Sequence, residues 1–251
     1  MKDRRILLVV AAVLVVIALV AIASYFMSSP TRQDPSAANS PTPEPTRISE
    51  YGFPVSHLRL NEGGTQTAPD GRTRIGYTPS CDDAVRAAVN YIGAESITSD
   101  NWDAREKTLT HVLSSTEGSN KYIHALRAAA LDEGIVSSVT LFEPQIFNLV
   151  SCEAGKSATV AVAQRIETQS YKIDEKTIPS STEIRVADQN LVWENNDWKL
   201  DFEANYTRPE AQLLFQEGKA EPASRSEVLG ELFSDHSGSP LSRDGWMELS
   251  Q

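Results

Sequence analysis

The chain has 251 residues, with 34 Asp and Glu against 23 Lys and Arg and a net charge of −11. That length suffices for one domain with a hydrophobic core plus attachments, and excludes two large domains. Lys2, Arg4 and Arg5, offset by Asp3, hold +2 of the charge, so the rest carries −13, a surface that repels phosphate backbones and excludes nucleic acid as a partner.

Ile6 to Phe26 is a run of 21 residues without a charge. As a helix it is about 31 Å long against a bilayer core of roughly 30 Å, which predicts a transmembrane span with residues 6–26 in lipid. The alternative is a cleaved signal peptide with Ala21–Ala23 as its small-residue site. Against it, the run exceeds the usual signal core of about 7 to 15 residues. No lipobox cysteine follows. Basic residues precede the span, so residues 1–27 form the cytoplasmic N-terminus and membrane helix, and everything after Met27 is expected outside the cytoplasm.

Residues 28–50 form a linker, with five prolines between Ser28 and Arg47 among Ser, Thr, Ala and Asn. Such a composition favours extended polyproline conformation and buries no core; over that stretch it reaches about 60 Å at roughly 3.1 Å per residue. Residues 51–79, rich in Gly and turn signals, are expected as an irregular strap whose aromatics pack on the domain.

From Ser80 to Thr207 the pattern becomes regular. Ser80 can cap a helix whose first turn carries Asp82 and Asp83, and Ala84, Val85, Ala88, Val89 and Ile92 recur as one apolar stripe. A second helix is expected over Trp102–Leu113, facing inward with Trp102, Leu109, Val112 and Leu113. A third runs from about Asn120 to Glu133, with Ile123, Leu126 and Ala130 inside and Gly134 as its stop. Then the period changes. Val136–Phe142 and Gln145–Ser151 read as β halves about a bend at Pro144. Ser157–Ile173 and Ser181–Glu194 read as long strands that must curve, because a twisted sheet does not stay flat over that length. Asn195-Asn196 supplies a two-residue turn, after which Trp198, Leu200 and Phe202 share one face and Lys199, Asp201 and Glu203 the other. Trp102, Trp193, Trp198, Leu200 and Phe202 are the expected large core residues.

Residues 208–251 read as a mostly disordered tail with one amphipathic stretch. There Ser224 and Glu227 form a capping box ahead of Val228, Leu229, Leu232 and Phe233. These four are a candidate partner-docking face, or alternatively a helix that folds back on its own domain.

The catalytic search finds no motif. His57, His111, His124 and His236 show no metal-ligand spacing, and no C-x-x-C, P-loop, G-x-G-x-x-G or G-x-S-x-G occurs. No catalytic residue, cofactor or metal is expected, although His111 and His124 sit on helices from which a general base could face an interior. Asn205-Tyr206-Thr207 is a glycosylation acceptor only in a eukaryotic secretory setting. Cys81 and Cys152 are the two cysteines. Outside the cytoplasm such a pair tends to oxidise, stapling the start of the first helix to the end of the first strand; two buried free thiols are the alternative.

Three helices followed by a meander of about four long, bent antiparallel strands, ending in "DWKLDF", resemble the nuclear-transport-factor-like α+β cone. With an anchor and linker ahead, the arrangement is similar to the assembly-factor ectodomains of type IV secretion and conjugation systems. "GYTPSCDDAVRAAVNYI" also resembles the domain opening of actinobacterial single-pass membrane proteins. The anchor, the stalk and an acidic domain without catalytic spacing together lead to the expectation of a non-enzymatic extracytoplasmic scaffold that meets other envelope proteins or copies of itself. A ligand-binding or sensing ectodomain and a small-molecule dehydratase or isomerase are the alternatives the same cone allows.

Overall fold

Two long antiparallel strands carry the domain. Ser157–Thr168 (β6) and Ser181–Glu194 (β9) pair over twelve residues, from Ser157 opposite Val192 to Thr168 opposite Ser181. The structure is a computed structural model that describes residues 56–59, 62–98, 100–142, 146–173, 175–202, 212–218, 223–233 and 246–250. The expected span 6–26, the linker 28–50, Pro144, Glu203, Asn205-Tyr206-Thr207 and His236 lie outside the described residues. Among those residues no helix is long and apolar enough to cross a membrane.

The architecture is α+β, with four helices among the described residues and a strongly curled antiparallel sheet. Ser137–Leu141 (β4) and Ile146–Glu153 (β5) follow one another along one edge of β6. Along the other edge of β9 lie Asp197–Leu200 (β10) and Gln212–Gln216 (β11). Register shifts at Leu149/Ser151 and Leu213/Phe215 are bulges that add bend to an already twisted sheet. Asn195 and Asn196 both have positive φ, 53° and 60°, as a tight hairpin turn requires.

Cys81–Ile92 (α1) begins where Ser80 accepts the Asp83 amide, and it buries its apolar stripe on the sheet. Trp102–Val112 (α2) follows Asn101, whose φ is 53°. Glu117–Arg127 (α3) starts three residues before the expected Asn120, because the Thr116 hydroxyl accepts the Ser119 amide at 3.3 Å and caps it there. It runs on as a π-turn, Ala128–Asp132, ahead of Gly134 at φ 64°.

Four expectations need correction. Among the described residues the sheet has eight strands, not about four, since both flanks of the domain add to it. The 51–79 strap is not irregular throughout: Ser56–Arg59 (β1) joins the sheet edge, and Gln66–Thr67 (β2) pairs with Arg74–Ile75 (β3). Two-residue strands are too short to show an alternation. The tail is likewise built into the fold. It supplies β11, a helix Arg225–Leu232 (α4) and Trp246–Ser250 (β12), which pairs antiparallel with β5 and parallel with β1. The expected long strand to Ile173 ends at Thr168, and Tyr171–Ile173 (β7) and Lys176–Ile178 (β8) make a separate hairpin.

The sheet is covered on both faces. Ala158, Val160, Val162, Leu191, Trp198 and Leu200 share a core with α1–α3. On the reverse face Ala161, Ala163, Ile184 and Val186 pack against Val228, Leu232 and Phe233 of the α4 segment, and Asn148 donates to the Leu232 carbonyl at 3.1 Å.

The polar face of β10 is also closed. Asp197 and Lys199 are buried. The Asp197 carboxylate accepts the Gly76 amide at 2.8 Å and the Tyr77 and Trp198 amides at 2.9 Å, which fixes the strap to the last hairpin. Lys199 stands 3.5 Å from it and donates to the His111 carbonyl. Asp197→Ala would orphan those amides, and is expected to lower unfolding free energy by roughly 1 to 3 kcal/mol in urea titration.

Candidate functional site

The helix-facing side of the two long strands is apolar except at one place. Going along β9, Leu191, Gln189, Ala187 and Arg185 point to that face, opposite Ala158, Val160, Val162 and Gln164 of β6. Gln164 and Gln189 are buried, at 0% and 4% exposure. Glu95 enters from above, on the single turn Gly93–Glu95 that ends α1. Ala187 lies between Gln189 and Arg185 on the same face.

Glu95 accepts from the Gln189 side-chain amide at 3.1 Å. Arg185 donates through Nε to Gln164 Oε1 at 3.1 Å, and Gln164 Nε2 has no partner although buried. Burial pushes the Glu95 carboxyl from its ordinary 4.5 up to about 7, with the Arg185 charge and the Gln189 hydrogen bond opposing it. The turn that carries it is tied to both neighbours. Ile97 and Ser137 exchange backbone hydrogen bonds at 2.8 and 2.9 Å, the Val139 amide donates to Ser96 Oγ at 2.9 Å, and Arg105 of α2 donates to the Ala94 carbonyl. Chemically, the site offers a carboxyl able to take or release a proton near neutrality, an arginine and two amides.

The residues singled out in sequence fall elsewhere. Trp102, Trp198 and Leu200 are buried, and Trp193 and Phe202 are partly buried against the same core. Trp193 meets Trp198 edge to face at 5.4 Å, while Phe202 stacks on Tyr122 at 4.1 Å. Cys81 and Cys152 form a disulfide, joining the start of α1 to the end of β5. β5 is the second half of the strand expected about Pro144, so the bridge joins the two ends that the sequence reading paired. His111 and His124 are exposed, so neither faces the interior as a general base. Of the two readings of the amphipathic stretch, folding back on its own domain is the one seen, and a free docking face is not. Val228, Leu232 and Phe233 are buried against the chain's own sheet and Leu229 is half-buried beside them. Among the described residues, no three His, Cys, Asp or Glu side chains gather as a metal site. An open cleft of about 650 Å³ outside α2 is lined by Asn101, Trp102, Lys107, Arg127 and Leu131, among others.

Glu95, Gln164, Arg185 and Gln189 had no place in the sequence reading. The signal was there: "AVAQR" and "RVADQN" put glutamines inside apolar strand runs, where a polar side chain must find a buried partner.

Fold and site together define an α+β domain, helices on a curled sheet, with a titratable carboxyl in the packed interface. Residues 26–217 match the family described as "Domain of unknown function (DUF8175)", and the chain belongs to that family. The match takes in β1 to β11 and stops before α4 and β12. No curated protein and no solved structure matches the chain.

Proposed function

We propose that the protein is a non-enzymatic, membrane-anchored extracytoplasmic scaffold or assembly component, plausible in a secretion or conjugation apparatus, built on a nuclear-transport-factor-like cone. In this reading α1–α3 are the cone helices, and β4 to β10 contain its meander. The observation that carries it is the filled interior: Trp198, Tyr91, Phe147 and Leu200 are buried between helices and sheet, where a cone that works on a ligand keeps room for one. The working element is then the surface. The uncharged run 6–26 behind a basic N-terminus supports the anchor, and the Cys81–Cys152 bridge suits an oxidising compartment. An anchor and stalk also raise the effective concentration of neighbours. In-membrane cross-linking of native cells is expected to trap the protein with envelope proteins or with copies of itself, and deleting residues 28–50 to reduce the yield. Recovery of monomer alone would overturn the proposal.

A sensing ectodomain is the second reading, favoured by the buried Gln164 amide that has no partner. Under it, a small polar ligand would raise the melting temperature of the wild-type chain but not of Gln164→Leu.

A further inference from the structure

The turn Gly93–Glu95 and the residues after it hold three layers together: α1 ends there, α2 reaches back through Arg105, and β4 is bonded through Ile97, Ser137 and Val139. Two of these ties are backbone hydrogen bonds and a third runs to the Ser96 hydroxyl, none of which pH alters. Glu95 is the ionisable side chain that this connection buries against β9. Few groups answer its charge. β9 presents Arg185 and the neutral Gln189, β6 the neutral Gln164, β4 the uncharged Ser137 and Val139, and the Arg105 guanidinium of α2 is engaged by the Ala94 carbonyl. Arg185 is itself shared with Gln164, so the carboxylate has one amide donor and a charge at a distance in place of the water it gave up.

We propose that this contact is a proton-sensitive latch: with Glu95 protonated the connection stays seated on β4 and β9, and with Glu95 ionised it opens locally and loosens α1 and α2 from the sheet. The carboxyl has the range for it, since burial raises it to about 7 in the folded chain from an ordinary 4.5. The folded form therefore holds a proton that an opened form releases. That contribution to closure is full below about pH 4.5 and is lost as pH rises through about 7. An environment that moves between mildly acidic and mildly alkaline would shift the population of the open form without unfolding the β6–β9 ladder. The latch belongs to the domain itself and stands whether or not the scaffold reading does.

Hydrogen exchange of the full-length chain tests it, with exchange times scaled for the intrinsic pH dependence. Between pH 5.5 and 8 the amides of Ile97, Ser137 and Val139 are expected to lose protection by roughly 10- to 30-fold, while amides of the β6–β9 ladder hold theirs. Glu95→Gln should remove that difference and keep protection at the low-pH level. Arg185→Gln, which withdraws the opposing charge, should move the midpoint to higher pH in a chain that keeps Glu95. Protection independent of pH in the wild type, pH dependence that survives in Glu95→Gln, or an unmoved midpoint in Arg185→Gln would each overturn the latch.

Discussion

Trp198→Ala is expected to lower the free energy of unfolding by about 3 to 5 kcal/mol, the range for emptying a large aromatic site in a packed core. The side chain has no exposed surface, and its indole Nε1 donates to the Thr78 carbonyl at 2.9 Å. Tyr91, also fully buried, donates its hydroxyl to the Trp198 carbonyl at 3.1 Å, so β10, α1 and the strap all close on this one residue. Collapse of the surroundings into the gap is restricted, since each of those elements is tied down elsewhere. Chemical denaturation of the two proteins decides it. Trp193→Ala, whose ring is only partly buried, is the comparison and should cost less. Equal stability of wild type and Trp198→Ala would mean that the hairpin does not close the core.

Removing the Cys81–Cys152 bridge by Cys81→Ala with Cys152→Ala is expected to cost about 4 kcal/mol, because the bridge closes a loop of 71 residues in the unfolded chain. The folded ends would stay close. The Gly155 amide donates to the Pro79 carbonyl at 2.8 Å beside the bridge, so the native geometry should survive and the loss should lie in the unfolded state. A steeper denaturant dependence, from a more expanded unfolded chain, should accompany the lower midpoint. Two titratable thiols in the denatured, unreduced wild type would show that the bridge does not form.

What the sequence disclosed was whatever is written locally. The stripe of α1 with its Ser80 cap, the Asn195-Asn196 turn and the two long strands each depend on residues a few positions apart. The edge strands were invisible for the opposite reason: β12 finds its partners at residues 56–59 and 146–148, and nothing in five residues announces a pairing so remote. α4 was found, with folding back on the domain as one of its two readings, but the face it covers was not. Its place was nonetheless implied by "SATVAVAQ", where Ala158 to Ala163 alternate between two buried faces. A strand apolar on both sides needs cover on both, and only one layer had been counted. Glu95 escaped because, at the end of a helix, a glutamate resembles any solvated one. Its burial follows from the short turn that brings it onto β9.

The parallel pairing of β1 with β12 has a bearing on synthesis. β12 is the strand through which β1 reaches the sheet, and it also closes the outer edge of β5. A chain emerging N-terminus first can therefore form the β6–β9 ladder and dock α1 while β5 still shows a row of unpaired amides and carbonyls. That edge stays open until residues 246–250 arrive. Products that stop short of them would keep it open for good, and an open edge recruits strands from other chains. Quality control would thus act on residues 246–250, and products truncated before them should be aggregated or degraded despite an intact core.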